Sequence, residues 1–149
     1  MSEAADAAEV LGPRLGHAFR DPALLLQALT HRSYANEHPS TSANEALAFL
    51  GDAVLGLVVA EQLWRSSPAE SVGVLTPRRA DIVSGANLAG WAGRLGLGSR
   101  LRVGRGEELT GGRAKESVLA SALEAVLGVV YLEGGLAGAR RAVELLTAL

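Results

Sequence analysis

Three acidic residues stand out because an apolar helix would not ordinarily carry them. Glu45 and Asp52 are seven positions apart in one apolar-patterned segment, so on a helix they share a face two turns from each other. Asp52 lies in the run Phe49-Leu50-Gly51-Asp52-Ala53-Val54-Leu55, where a buried carboxylate is costly unless it is paired or metal-bound. Gly51 beside it is unfavourable inside a helix by about 1 kcal/mol, which points to the close approach of another backbone. Glu124 repeats the anomaly between Leu123 and Ala125, with Ser117 and Ser121 on the same ridge. Two lone acids on two buried helices suit a divalent cation, since hard cations take oxygen ligands from facing elements. The competing reading is an ordinary ion pair, with Arg32, Arg78 or Arg79 as the partner of Asp52. Patterning alone leaves both open.

Other chemistry is poorly supported. There is no cysteine, which removes disulfides, thiol nucleophiles and Cys-type zinc sites together. His31 is a lone histidine with no nucleophile beside it to serve, so it reads as structural. The Gly104–Gly112 loop lacks the Gly-Lys-Ser/Thr ending of a P-loop. Trp64 and Trp91 read as core or interface residues rather than base-stacking platforms.

The acids need helices to hold them, and five segments read as helical. Pro22–Tyr34 follows Asp21, an N-cap with proline at the first helical position. Ser42–Trp64 opens on a capping box, Ser42 with Glu45 three residues later. Its apolar set (Leu47, Leu50, Val54, Leu55, Val58, Val59, Leu63) covers more than half the circumference, which predicts a buried central helix. Thr76–Leu95 begins cap-then-proline and is expected to break near Gly85. Glu116–Leu132 is a second buried helix, and Leu136–Ala148 closes the series. Glu37–Ala43, Ser66–Val74 and Gly104–Gly112 read as loops. Strand-type alternation is missing, so the expected class is all-α, in one domain over residues 1–149.

Composition agrees. Hydrophobic residues make up 48% of the 149 and aromatics only 4%, which favours packed helices of Ala, Leu and Val. Net charge is −2, a balance that argues against tight stand-alone binding to nucleic acid. Locally, Arg94, Arg100, Arg102, Arg105, Arg113 and Lys115 fall in one stretch, against Glu107, Glu108 and Glu116. No apolar run reaches the ~20 residues of a membrane span by inspection, and Met1–Gly12 is acidic. The expectation is a cytoplasmic protein with no membrane partner.

The ordered motifs carry a family resemblance. Asn44-Glu45-Ala46-Leu47-Ala48-Phe49-Leu50-Gly51-Asp52-Ala53-Val54-Leu55 resembles the signature helix of the ribonuclease III family, N-E-R-L-E-F-L-G-D-A-V-L. Leu29-Thr30-His31-Arg32-Ser33-Tyr34 is similar to its L-T-H-R-S-Y, and Leu75-Thr76-Pro77-Arg78-Arg79-Ala80 with Val83-Ser84 to its L-T-x-x-R-A…V-S. Leu95-Gly96-Leu97-Gly98 and the Gly104–Gly112 glycines follow in order. Glu116-Ser117-Val118-Leu119-Ala120-Ser121-Ala122-Leu123-Glu124-Ala125 resembles E-S-I-L-A-D-A-L-E-A. The likeness runs from about Leu11 to Leu146, and several blocks in sequence are far more specific than one.

The resemblance implies an all-α endonuclease domain that dimerises and cuts double-stranded RNA with Mg2+ or Mn2+. The metal would be held by four carboxylates, two from each of two helices. Carried over by position, Asp52 and Glu124 match two of the four metal ligands, and Glu45 matches a supporting acid of the catalytic site. Ala48 stands where the signature's second glutamate belongs, and Ser121 where the later helix's aspartate belongs. Val72 is a further departure, in place of the E of E-G-x-L-T. Ala48 is one turn from Asp52 and Ser121 one turn from Glu124, so both replacements should face one point. Phe49 matches a residue at the family's subunit interface, which implies a homodimer.

Three functions follow as expectations. The first is a degraded nuclease domain with Mg2+ weakly bound or absent, retained to bind double-stranded or structured RNA or a protein partner, for instance at the ribosome. The second is a working endoribonuclease whose altered site recruits Glu45, and the third a dimeric scaffold with no RNA role. No separate double-stranded-RNA-binding domain is recognised in the sequence, so RNA affinity is expected to be modest.

Overall fold

Capping residues and glycines divide the chain into helices, and the computed structural model describes residues 2–149. Helix α1 (Glu3–Leu15) starts at Ser2, whose hydroxyl accepts the Ala5 N–H at 3.1 Å, and ends at Gly16 in the left-handed region. The sequence reading had no helix here. Ala4, Ala7, Leu11 and Leu15 are buried at helical spacing, so the periodic signal was present despite Gly12-Pro13.

The single helix expected over Pro22–Tyr34 is two helices, α2 (Pro22–Ala28) and α3 (Arg32–Glu37). Asp21 caps α2 as expected, accepting the Leu24 N–H at 3.1 Å. The break falls at Thr30, which makes an isolated parallel bridge with Arg102. Thr30 is fully buried; its hydroxyl donates to the Leu26 carbonyl and accepts from the Arg102 guanidinium.

Helix α4 (Glu45–Ser66) begins at Asn44 rather than Ser42, and the expected capping box does not form. The buried Asn44 side chain instead donates to the Ala28 carbonyl at 3.0 Å, tying α4 to the end of α2. Helix α5 (Val72–Ile82) has its N-cap at Ser71, five residues before the expected Thr76 cap, with Pro77 inside it. The break before α6 (Gly85–Leu95) falls where expected, because the Ser84 hydroxyl caps α6 by accepting the Asn87 N–H at 3.2 Å. The loop expected over Gly104–Gly112 contains a short helix, α7 (Arg105–Leu109). Helix α8 (Glu116–Thr147) joins the last two expected helices across a kink at Gly135, where φ is 65°.

The core is built around α4 and α8, the most extensively packed helix pair, with α6 against α8 and α1 and α2 closing the far side. Leu47, Val54, Leu55, Val58 and Val59 from α4 meet Ala122, Leu123, Val126, Leu127 and Val130 from α8. Both helices are long and apolar enough to cross a membrane by length and composition, which corrects the sequence reading; here they pack on one another. The close approach expected at Gly51 is observed. A Cβ built there would overlap the Glu124 carbonyl oxygen, and one at Gly128 would lie 2.6 Å from the Leu47 carbonyl oxygen.

Two residues before the kink, Glu133 ties α8 to the segment between α1 and α2. Glu133 accepts the Arg20 and Asp21 backbone N–H groups and lies 2.8 Å from His17 Nε2, with both side chains almost buried. Burial alone would raise the Glu133 pKa, but His17 and the two N–H groups outweigh it and hold it below the usual carboxylate range. A depressed carboxylate contributes stability above its unfolded pKa, near 4.5 here, and loses it as pH falls through the folded value. Glu133→Gln is therefore expected to cost about 2 kcal/mol at neutral pH. The deficit should shrink under acid conditions when urea midpoints of parent and variant are compared.

Candidate functional site

The beginnings of α3, α4 and α8 converge on a cleft of about 350 Å³ lined by His31, Arg32, Asn44, Glu45, Ala48, Ser117, Val118 and Ser121. Ala48 and Ser121 thus face one space, the convergence anticipated from their spacing. Glu45 joins them in the lining; Asp52 and Glu124 do not, although they meet each other one turn further along their helices.

That meeting is intimate. Burial of Glu124 raises its pKa to about 8, reinforced by a side-chain hydrogen bond with Asp52 and by repulsion from the Asp52 carboxylate. The arginine partners considered for Asp52 are not used, since none of the ion pairs among the described residues includes it. Burial is distributed differently from the sequence expectation. Asp52 is exposed and Glu124 half-buried: Gly51, Val54 and Leu55 beside Asp52 are buried, whereas Phe49 and Ala53 are exposed with it. Among the described residues no group of three or more His, Asp or Glu side chains is arranged to hold a metal ion.

The raised Glu124 pKa has a signed consequence. Between about 4.5 and about 8 the folded protein keeps a proton that the unfolded chain releases. The stability attached to that proton is fully present below 4.5 and drains away as pH rises towards 8. Glu124→Gln should thus gain on the parent chain with rising pH across this window, measured as urea midpoints in the presence of a chelator. Parallel profiles would show that Glu124 ionises freely.

His31 makes a structural contact, its Nδ1 accepting the Ser33 N–H and capping α3, and it also lines the cleft. Burial lowers its pKa, opposed by Glu107 and Glu45 and assisted by Arg32 and Lys115. The basic stretch is largely consumed within the fold. Arg100 pairs with Asp6 at 2.8 Å, Lys115 with Glu107 at 2.9 Å, and Arg113 binds Glu108 and the Gly98 and Leu101 carbonyls. Arg102 is held by Thr30. Arg32, which the sequence suggested only as a partner for Asp52, lines the cleft and takes part in none of the ion pairs among the described residues. Its adjacency to His31, a cap at the cleft, was the signal available for it.

One face of α4 carries apolar side chains without a partner. Phe49 is 81% exposed, Leu57 54% and Trp64 67%, at positions that fall along one side of the helix. A second cleft beside them, between α4 and α5, is lined by Leu57, Ala60, Trp64 and Leu75, with Arg79 at its edge. Trp91, by contrast, is buried in the core.

The chain is similar to known proteins over most of its length. Residues 21–149 match the family described as Ribonuclease-III-like. Ribonuclease 3 of Symbiobacterium thermophilum is 52% identical over 129 residues, covering 87% of this chain and 54% of that protein. Ribonuclease 3 of Heliobacterium modesticaldum is 50% identical over 133 residues, covering 88% and 57%. The chain therefore spans little more than half the length of these relatives. The nuclease domain of ribonuclease III from Campylobacter jejuni superposes with a TM-score of 0.87 at 39% identity, over 94% of this chain and 96% of that one; that structure is described by flexibility in its region involved in dimer formation. An all-α fold built on α4 and α8, with the two motifs that carry the acids on those helices and a match over residues 21–149, makes this chain a member of the ribonuclease III-like family.

Proposed function

We propose that this domain binds double-stranded or structured RNA as a dimer, and hydrolyses it weakly or not at all. The observation that carries the reading is the cleft itself, whose lining includes both Ala48 and Ser121. Alanine offers no ligand and a neutral hydroxyl is a weak one for a hard cation. The donor set that remains is the Asp52–Glu124 pair, and those two carboxyls already share a hydrogen bond. Two-metal phosphodiester hydrolysis needs enough anionic oxygen to hold two cations about 4 Å apart. These residues fit that requirement poorly. The test is incubation of purified protein with a double-stranded RNA in millimolar Mg2+ and in Mn2+. The expected result is retention of the RNA in a complex with little or no cleavage; robust turnover in Mg2+ would sink the proposal.

A second reading has a specific observation behind it: Glu45 lines the same cleft as the Ser117 and Ser121 hydroxyls, the arrangement an altered but working endoribonuclease would need. Activity in Mn2+ that disappears in Glu45→Gln would favour it.

The dimer rests on the exposed α4 face. Phe49, Leu57 and Trp64 present apolar surface that a second copy would cover, and large exposed apolar patches mark association sites. Phe49→Glu would place a charge at that seam. It is expected to shift sedimentation velocity from dimer to monomer while leaving helical content unchanged.

A further inference from the structure

Tyr34, on α3, is stacked from two sides. The Arg102 guanidinium carbon sits 4.7 Å from its ring centroid, and the His38 imidazole stacks on it at 4.0 Å with 12° between the planes. Two groups so close to one ring occupy opposite faces, so Arg102, Tyr34 and His38 form a three-tier pile. Each tier is fixed independently. Arg102 donates twice to the Thr30 hydroxyl, and His38 Nδ1 donates to the Tyr34 carbonyl at 3.0 Å. The His38 backbone N–H caps the end of α3. The top tier is solvent-exposed, so one face of the His38 ring is covered by Tyr34 and the other is open.

We propose that the open face of His38 is a docking platform for one unpaired nucleobase of a bound RNA. Aromatic faces held rigid in advance lose little entropy on stacking, and a cation in the pile adds to the attraction. The bases of a continuous duplex are stacked on each other, so only a bulge, loop or strand end offers a free face. The position suits a nucleotide rather than an isolated base. Arg32, at the other end of the same helix and without an ion-pair partner among the described residues, borders the cleft; six residues of rise separate it from His38, about 9 Å. A phosphate at Arg32 and an unpaired base at His38 are thus within reach of one strand.

The inference rests on the RNA-binding reading above, and the experiment separates the two. Binding is measured by anisotropy, in a chelator, for a flush duplex RNA and for the same duplex carrying one unpaired 2-aminopurine nucleotide. The expected result is roughly tenfold tighter binding of the duplex with the unpaired base, with quenching of its fluorescence as it stacks. His38→Ala should abolish the preference and the quenching while leaving flush-duplex binding unchanged, and His38→Phe should retain both. Equal binding of the two duplexes by the parent protein, or a preference that survives His38→Ala, would overturn the docking platform alone. Failure to bind either duplex at low salt would overturn the RNA reading and the platform with it.

Discussion

Gly51→Ala is expected to cost the domain about 3 kcal/mol or more, lowering its urea midpoint steeply or preventing folding. A methyl group at this position meets backbone rather than a side chain: it would overlap the Glu124 carbonyl and lie 3.1 Å from the Gly128 nitrogen. Backbone in a helix cannot rotate aside, so α4 and α8 must separate as bodies. Separation opens the contacts of Leu47, Val54, Leu123 and Leu127, which are buried between these helices and their neighbours. Against this, alanine gains at most about 1 kcal/mol of helix propensity over glycine. The clash therefore wins. Gly93→Ala isolates the propensity effect, because a Cβ at that helical position has nothing within 4 Å, and it should stabilise by about 0.5–1 kcal/mol. A Gly51→Ala midpoint at or above that of the parent chain would show that the two helices are not in backbone contact.

Gly51 also shows what sequence could reveal here. A glycine in an apolar helix runs against local propensity, and the cost is tolerated only where another backbone needs the space, so its role could be read from one segment. The same holds for Ser84, whose hydroxyl caps α6, and for Ala48 and Ser121, whose turn-by-turn spacing from Asp52 and Glu124 placed them in one cleft. What failed depends on partners distant in the chain. The break between α2 and α3 is imposed by the bridge from Thr30 to Arg102, seventy-two residues away. The Ser42–Glu45 capping box was a sound local signal, overridden because Asn44 turns its amide to Ala28. The local basic excess is visible in the sequence, but that Asp6, Glu107 and Glu108 pair with three of its cations is not. Periodicity assigned Asp52 to a helix but not to its solvent side, which depends on how α4 lies against α8.

On the proposed reading, placing acids where the family motif carries them, Ala48→Glu with Ser121→Asp, is expected to raise metal-dependent cleavage of double-stranded RNA on the order of 100-fold or more over the parent chain. Both positions open on a cleft of about 350 Å³, room enough for two longer side chains without disturbing the α4–α8 contact at Gly51 and Gly128. Electrostatics makes the effect checkable before any RNA is added. Glu124 already holds its proton to about pH 8 beside Asp52, so two further carboxyls nearby add repulsion that only a cation relieves. In a chelator the double variant should thus be less stable than the parent, increasingly so as pH rises. Millimolar Mn2+ should raise its melting temperature well beyond any shift seen for the parent, since a ligand of the folded state stabilises by mass action. Each single substitution supplies one ligand, and its thermal shift should fall between the parent and the pair. If the parent chain matches the double variant in both Mn2+-induced stabilisation and cleavage rate, then Ala48 and Ser121 do not limit the chemistry, and the family's activity survives in this domain by another set of ligands.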